Sequence, residues 1–121
     1  IGCLSANIIF GLPVITISTH VRHDLSQFLS EILATFGLVL VIFLAREVAR
    51  QNIPILVGSY IASAYWFSSS TSFANPAVTI ARQFSDTFTG ISPSGIPSFV
   101  LAQIFGAILG YIVVQWLSRD M

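Results

Sequence analysis

Residues 51 to 81 carry no charged side chain, and the tripeptide Asn75-Pro76-Ala77 falls inside that stretch rather than at its edge. Asn is a favoured helix N-cap, and Pro is favoured at the first helical position, where its missing N–H would have had no partner anyway. A helix-start signal therefore stands where only lipid or packed membrane protein is expected. At that depth no water satisfies exposed backbone, so a broken helix is tolerated only when it is buried in protein or lines a wet cavity. The pattern points to a pore or a transporter site, with the first amides of a short helix aimed at the bilayer midplane.

Composition agrees with this. Of 121 residues, 55% are hydrophobic and 8% charged, against about 25% charged in soluble domains; the mean hydropathy is +0.86. The chain reads as an all-α integral membrane protein whose principal partner is the bilayer. The formal net charge is zero, there is no Lys, and the cations are Arg22, Arg46, Arg50, Arg82 and Arg119. No clustered basic face is available to nucleic acid. The single cysteine, Cys3, excludes an intramolecular disulfide and cannot alone build a metal site. His20-Val21-Arg22-His23, with only Asp24 beside it, reads as a solvated loop rather than a metal centre. No nucleophile with a base and no glycine-rich phosphate cradle is visible, so neither an enzyme nor a cofactor is expected. Residues 1–17 lack a basic leading region and contain Gly11-Leu12-Pro13, which argues against a signal peptide. Together with the non-Met start, they read as the tail of a membrane helix in a piece of a longer protein.

Apolar segments alternate with short polar punctuation. After residues 1–17, residues 18–27 read as an exposed loop and 28–45 as a span interrupted only by Glu31. The clasp Arg46-Glu47-Val48-Ala49-Arg50 leads to a second span over 53–67. Ser68 to Ala74 follows, a run whose side chains compete with their own backbone for hydrogen bonds and resist regular helix. The spacing predicts a short helix from Pro76 to Asp86, roughly 16 Å long at 1.5 Å per residue and so half a bilayer. Residues 68–86 thus form a re-entrant unit. The last span covers 97–117, with Trp116 at the interfacial level. Arg46, Arg50 and Arg119 would share the cytoplasmic side, leaving Arg22 and Arg82 toward the other. Gly106 and Gly110, and Gly58 with Ala62, have the four-residue spacing of close helix contacts.

Asn75 offers two amide donors and an acceptor at the positive end of its helix, which suits a neutral solute with oxygen lone pairs and disfavours a cation. Glu31 is the only carboxylate inside a span and must find partners there.

Ser72-Phe73-Ala74-Asn75-Pro76-Ala77-Val78-Thr79-Ile80-Ala81-Arg82 resembles the second signature loop of the aquaporin and glycerol-facilitator (major intrinsic protein) family. Phe10 to Pro13 is similar to the end of that family's third helix and Glu31 to Phe36 to the start of the fourth. Pro54 to Phe67 is similar to the fifth and Phe99 to Gly106 to the sixth. The resemblance implies the second inverted repeat of an aquaporin-like fold, with the first repeat and its opposing half-helix missing. It implies a passive channel for water or small neutral solutes, a homotetramer, and Asn75, Pro76 and Ala77 at the pore centre. Glu31 would then support the loop Ser72 to Asn75 from behind the pore wall. Most members have Arg directly after this second Asn-Pro-Ala, and Val78 departs from them. Counting from the motif puts Ser72 at a second constriction position and Ser63 at a third, giving a wider and less cationic filter. Arg82, one turn beyond Val78, could restore part of the charge, but its spacing favours a local ion pair with Asp86. The Val variant resembles a bacterial branch associated with metalloid transport, which implies a multi-pass protein of the bacterial inner membrane and suggests glycerol-like polyols or neutral metalloid acids as solutes. A secondary transporter with a discontinuous helix, and a fragment unable to conduct without its first repeat, are the competing readings.

Overall fold

The computed structural model describes residues 1–119. Five α-helices follow one another: α1 Gly2–Ile9, α2 Leu25–Val48, α3 Ile53–Phe67, α4 Pro76–Arg82 and α5 Ile96–Leu117, with single 3-10 turns at Arg50–Asn52 and Pro93–Gly95. There is no strand among the described residues. Leu25–Val48 and Pro93–Leu117 are long and apolar enough to cross a membrane. α3 has 15 residues, about 22 Å of helix. Pro stands in the first turn of α3, α4 and α5, where its missing donor costs no hydrogen bond.

α2 lies along α5 as the main helix pair, and α3 also packs against α2. Glycine makes the first contact possible. A Cβ on Gly106 would fall onto the Ile32 carbonyl oxygen, and one on Gly110 would come within 2.9 Å of the Phe36 carbonyl oxygen. Gly37 makes room in the same way for Tyr60 of α3, whose hydroxyl donates to the Ala34 carbonyl at 2.8 Å. Outward side chains of α5 such as Leu101, Phe105 and Ile108 are exposed, as a face against lipid or another membrane segment requires. Gly106→Leu is expected to force α2 and α5 apart. Overpacking a core costs about 1–3 kcal/mol, and a clash with backbone, which cannot rotate away, belongs at the upper end. Thermal unfolding of the full-length protein in detergent should show a clear drop in midpoint.

Several boundaries differ from those the sequence suggests. α2 begins at Leu25, inside the segment 18–27 read as exposed loop, and within that segment Ser18 and Arg22 are buried. The backbone of the connector pairs with the chain after α4: Thr16 N–H donates to the Phe84 carbonyl and Ser18 N–H to that of Gln83. α4 stops at Arg82 rather than Asp86: the chain continues as a turn, and the Gln83 and Phe84 carbonyls go to Ser18 and Thr16 instead of to a further turn of helix. Gly58 and Ala62 do not form a close contact among the described residues: nothing lies within 4 Å of a Cβ at Gly58, and Ala62 is exposed.

Candidate pore-lining site

The polar run before α4 is a strained loop. Thr71, Ser72 and Ala74 have φ of 63, 52 and 49°, in the left-handed region that costs an L-residue about 1–2 kcal/mol. Such a backbone persists only where its surroundings over-determine it. Here Glu31, fully buried on the first turns of α2, accepts four hydrogen bonds. Its Oε1 takes the Ser70 hydroxyl at 2.6 Å and the Phe73 N–H at 2.8 Å, and its Oε2 takes the Ala74 N–H at 2.8 Å and the Gln103 amide at 2.7 Å. Gln103 Nε2 also donates to Thr79 Oγ1 at 2.8 Å, and Thr79 donates back to the Asn75 carbonyl at 3.0 Å. One carboxylate on α2 thereby ties the loop to both α4 and α5.

Arg22 is the residue that sequence reasoning missed. It lies in the polar connector, yet its side chain is buried, with Nε donating to the Gly90 carbonyl at 2.7 Å, Nη1 to Ser70 at 3.0 Å and Nη2 to Phe88 at 2.6 Å. Its guanidinium stands 5.3 Å from the centre of the Phe73 ring. Burial pulls this guanidinium below its ordinary value, the charge of Glu31 and the Tyr65 phenol oppose the shift, and nearby Arg82 adds to it. Ser70 joins the two anchors, giving its carbonyl to Arg22 and its hydroxyl to Glu31. Nothing in the composition around Arg22 signals burial, because its partners lie 48 to 68 residues away.

Asn75 caps α4 as its sequence position suggests: extended backbone, with Oδ1 accepting the Ala77 N–H at 2.8 Å. Asn75 itself is exposed. Asn75, Ser72 and Val78 come together on a cavity of about 360 Å³ between α2, α3 and the loop. Its apolar wall is Leu38, Val57, Ile61 and Tyr65; Thr71, Arg82 and Thr89 add polar groups. Ser72 is buried, and neither its hydroxyl nor that of Thr71 has a hydrogen-bond partner among the described residues. Val78 is half-buried against the core of Phe73, Ile91 and Phe99. Pro76 and Ala77 stay exposed at the start of α4.

One expected residue lies off this cavity, and one expected ion pair does not form. Ser63 is not on the cavity: its hydroxyl donates to the Ser59 carbonyl within α3 at 2.9 Å, and the cavity face of that helix is Val57, Ile61 and Tyr65 at four-residue spacing. Arg82 and Asp86 do not pair either, since α4 ends between them. Arg82 Nη1 donates to Thr89 Oγ1 at 2.6 Å, while Asp86 accepts the Thr19 N–H and hydroxyl at 2.9 and 3.1 Å.

The short helix opened by Asn75 stands beside a mixed polar and apolar cavity, in a chain with two helices long and apolar enough to cross a bilayer: the features of a membrane protein. The chain is 47% identical over 118 residues, 98% of its length, to aquaglyceroporin AqpS of Rhizobium meliloti (strain 1021). It belongs with the major intrinsic proteins, and it spans about half the length of that relative. No family model matches the chain, and no solved structure does.

Proposed function

We propose that this chain forms the second inverted repeat of a passive, multi-pass channel of the bacterial inner membrane, conducting small neutral solutes such as glycerol-like polyols. Neutral metalloid acids of similar size and hydroxylation fall in the same class. In this reading a first repeat supplies the opposing half-helix, and four copies assemble as a homotetramer. The observation that carries it is the cavity where Asn75, Ser72 and Val78 meet, with the polar residues Asn75, Arg82 and Thr89 on one wall and Leu38, Val57 and Ile61 on the other. A polyol presents one hydroxylated and one carbon edge, and such a wall pair matches both. Asn75 offers its amide donors at the pore centre, Pro76 and Ala77 complete the helix start, and Glu31 holds the loop in place. Val78 widens the filter at the position where the family resemblance implies an Arg in most members.

The test is swelling of proteoliposomes holding the full-length protein. Glycerol permeability well above that of empty vesicles is expected. Val78→Arg should lower glycerol passage by about tenfold or more and water passage by less, because a long cation narrows the opening and one tenfold step is only about 1.4 kcal/mol. Equal effects on both solutes would remove Val78 from the filter, and wild-type glycerol flux no greater than background would overturn the channel reading.

A further inference from the structure

α2 and α5 run in the same direction, since Gly106 lies against Ile32 and Gly110 against Phe36. Arg46 in the last turn of α2 and Arg119 just beyond α5 therefore stand at the same end of the pair. Near that end the Arg46 guanidinium lies 5.6 Å from the centre of the Phe43 ring, and Phe43 meets Tyr111 of α5 edge to face at 6.0 Å. From Tyr111 the open face of α5 continues through Ile112, Gln115 and Trp116 to Arg119, around a cavity of about 320 Å³. Tyr111, Ile112 and Trp116 are all half-exposed or more, and so are Ile108 and Phe105, one and two turns back along the same helix. The groove is thus apolar toward the middle of α5 and cationic at its rim.

Tyr and Trp near the end of a membrane-crossing helix sit at the level of the lipid headgroups. Arg46 and Arg119 are exposed at that level, and a guanidinium fork matches a phosphate with two parallel N–H donors. Arg50 adds a third cation at this end; Glu47 is its acidic residue among the described residues, and Asp120 follows Arg119 in the sequence. The carbonyl ends of the two helices offer an anion no attraction of their own, so a hold on one must come from the arginines. An anionic phospholipid has both halves of the pattern, a phosphate above a hydrocarbon chain. A zwitterionic lipid carries the same phosphate with a cation that the arginines repel, so net charge separates the two.

We propose that this end of α2 and α5 binds one anionic phospholipid, with its phosphate held by Arg46 and Arg119 and an acyl chain laid along Ile112 and Ile108. Phe43 steadies the Arg46 guanidinium from below, and Tyr111 and Trp116 flank the headgroup. The site does not depend on which solute crosses the protein, only on α2 and α5 standing in a bilayer.

The experiment is native mass spectrometry of the full-length protein in detergent, titrated with phosphatidylglycerol or phosphatidylcholine of identical acyl chains. Wild type should bind the first phosphatidylglycerol about tenfold or more tighter than phosphatidylcholine, the scale expected of two arginines near an anionic headgroup. The double variant Arg46→Gln with Arg119→Gln should bring that preference to within about twofold and leave phosphatidylcholine binding as it was, while the corresponding double Lys variant keeps most of it. Gln115→Glu leaves both arginines in place and adds a like charge to the groove; it should weaken phosphatidylglycerol several-fold and spare phosphatidylcholine, and it decides the matter if the double Gln variant does not fold. No preference in wild type would overturn the proposal, and a preference unchanged in the double Gln variant or in Gln115→Glu would place the lipid elsewhere and overturn this site. Displacement of phosphatidylglycerol by millimolar inorganic phosphate would make the site one for a free anion and overturn the lipid as its occupant. Self-association that the double Gln variant abolishes, with no lipid preference in wild type, would give the face to a second copy instead.

Discussion

Glu31→Leu is expected to abolish glycerol flux and to lower the stability of the full-length protein severely. The substitution leaves the Ser70 hydroxyl, the Phe73 and Ala74 amides and the Gln103 amide without their acceptor, and an unsatisfied buried donor costs about 1–3 kcal/mol. Three of those groups lie in the loop that has Thr71, Ser72 and Ala74 in the left-handed region, so the loop is expected to relax away from its fold and carry Asn75 with it. Glu31→Gln keeps one acceptor oxygen but turns an NH₂ toward two donors. An intermediate result is expected, with folded protein and reduced flux. Thermal unfolding in detergent and proteoliposome swelling would read both, and wild-type flux in Glu31→Leu would show that the loop holds its shape without the carboxylate.

The second large effect is at Arg22. Arg22→Leu leaves the Ser70, Phe88 and Gly90 carbonyls without their donor and strips the loop's outer side of its tie to the chain beyond α4. A loss of a few kcal/mol is expected, since a buried carbonyl left without its donor costs about 1–3 kcal/mol. Arg22→Lys is not a rescue: one ammonium cannot reproduce a planar fork spread over three carbonyls. Hydrogen exchange separates this from a general loss of structure. Amides of residues 70–74 and 88–92 should exchange faster in both variants while those in the middle of α2 and α5 keep their protection. Uniform acceleration across the chain would contradict a local role for Arg22.

The parts of this fold that the sequence makes legible are those with local signals. Asn75-Pro76 announces a helix start by capping chemistry alone, and the cap forms. Glu31 is conspicuous because a lone carboxylate in an apolar segment must find hydrogen bonds. Gly106 and Gly110 foretell a close helix contact, and they lie against Ile32 and Phe36. What escaped depends on partners far along the chain. Arg22 sits among His, Asp and Ser, a composition that reads as solvated, and only the folded loops bring three carbonyls to it. The end of α4 has no Gly or Pro to mark it; beyond it the carbonyls of Phe84 and Gln83 go to Thr16 and Ser18. That same early end separates Arg82 from Asp86, so an i,i+4 pair that is sound on a continuous helix does not form. On α3 the face that meets the cavity runs through Val57, Ile61 and Tyr65, and Ser63 lies off it.

The most direct measurement of the central claim is glycerol uptake by proteoliposomes of the full-length protein over a wide range of glycerol concentrations, with and without imposed proton and sodium gradients. A passive pore built around Asn75 gives uptake that rises in proportion to concentration and is indifferent to either ion gradient. Uptake that saturates at low millimolar glycerol and accelerates with an ion gradient would contradict it, and would make the broken helix at Asn75 the binding site of a coupled transporter.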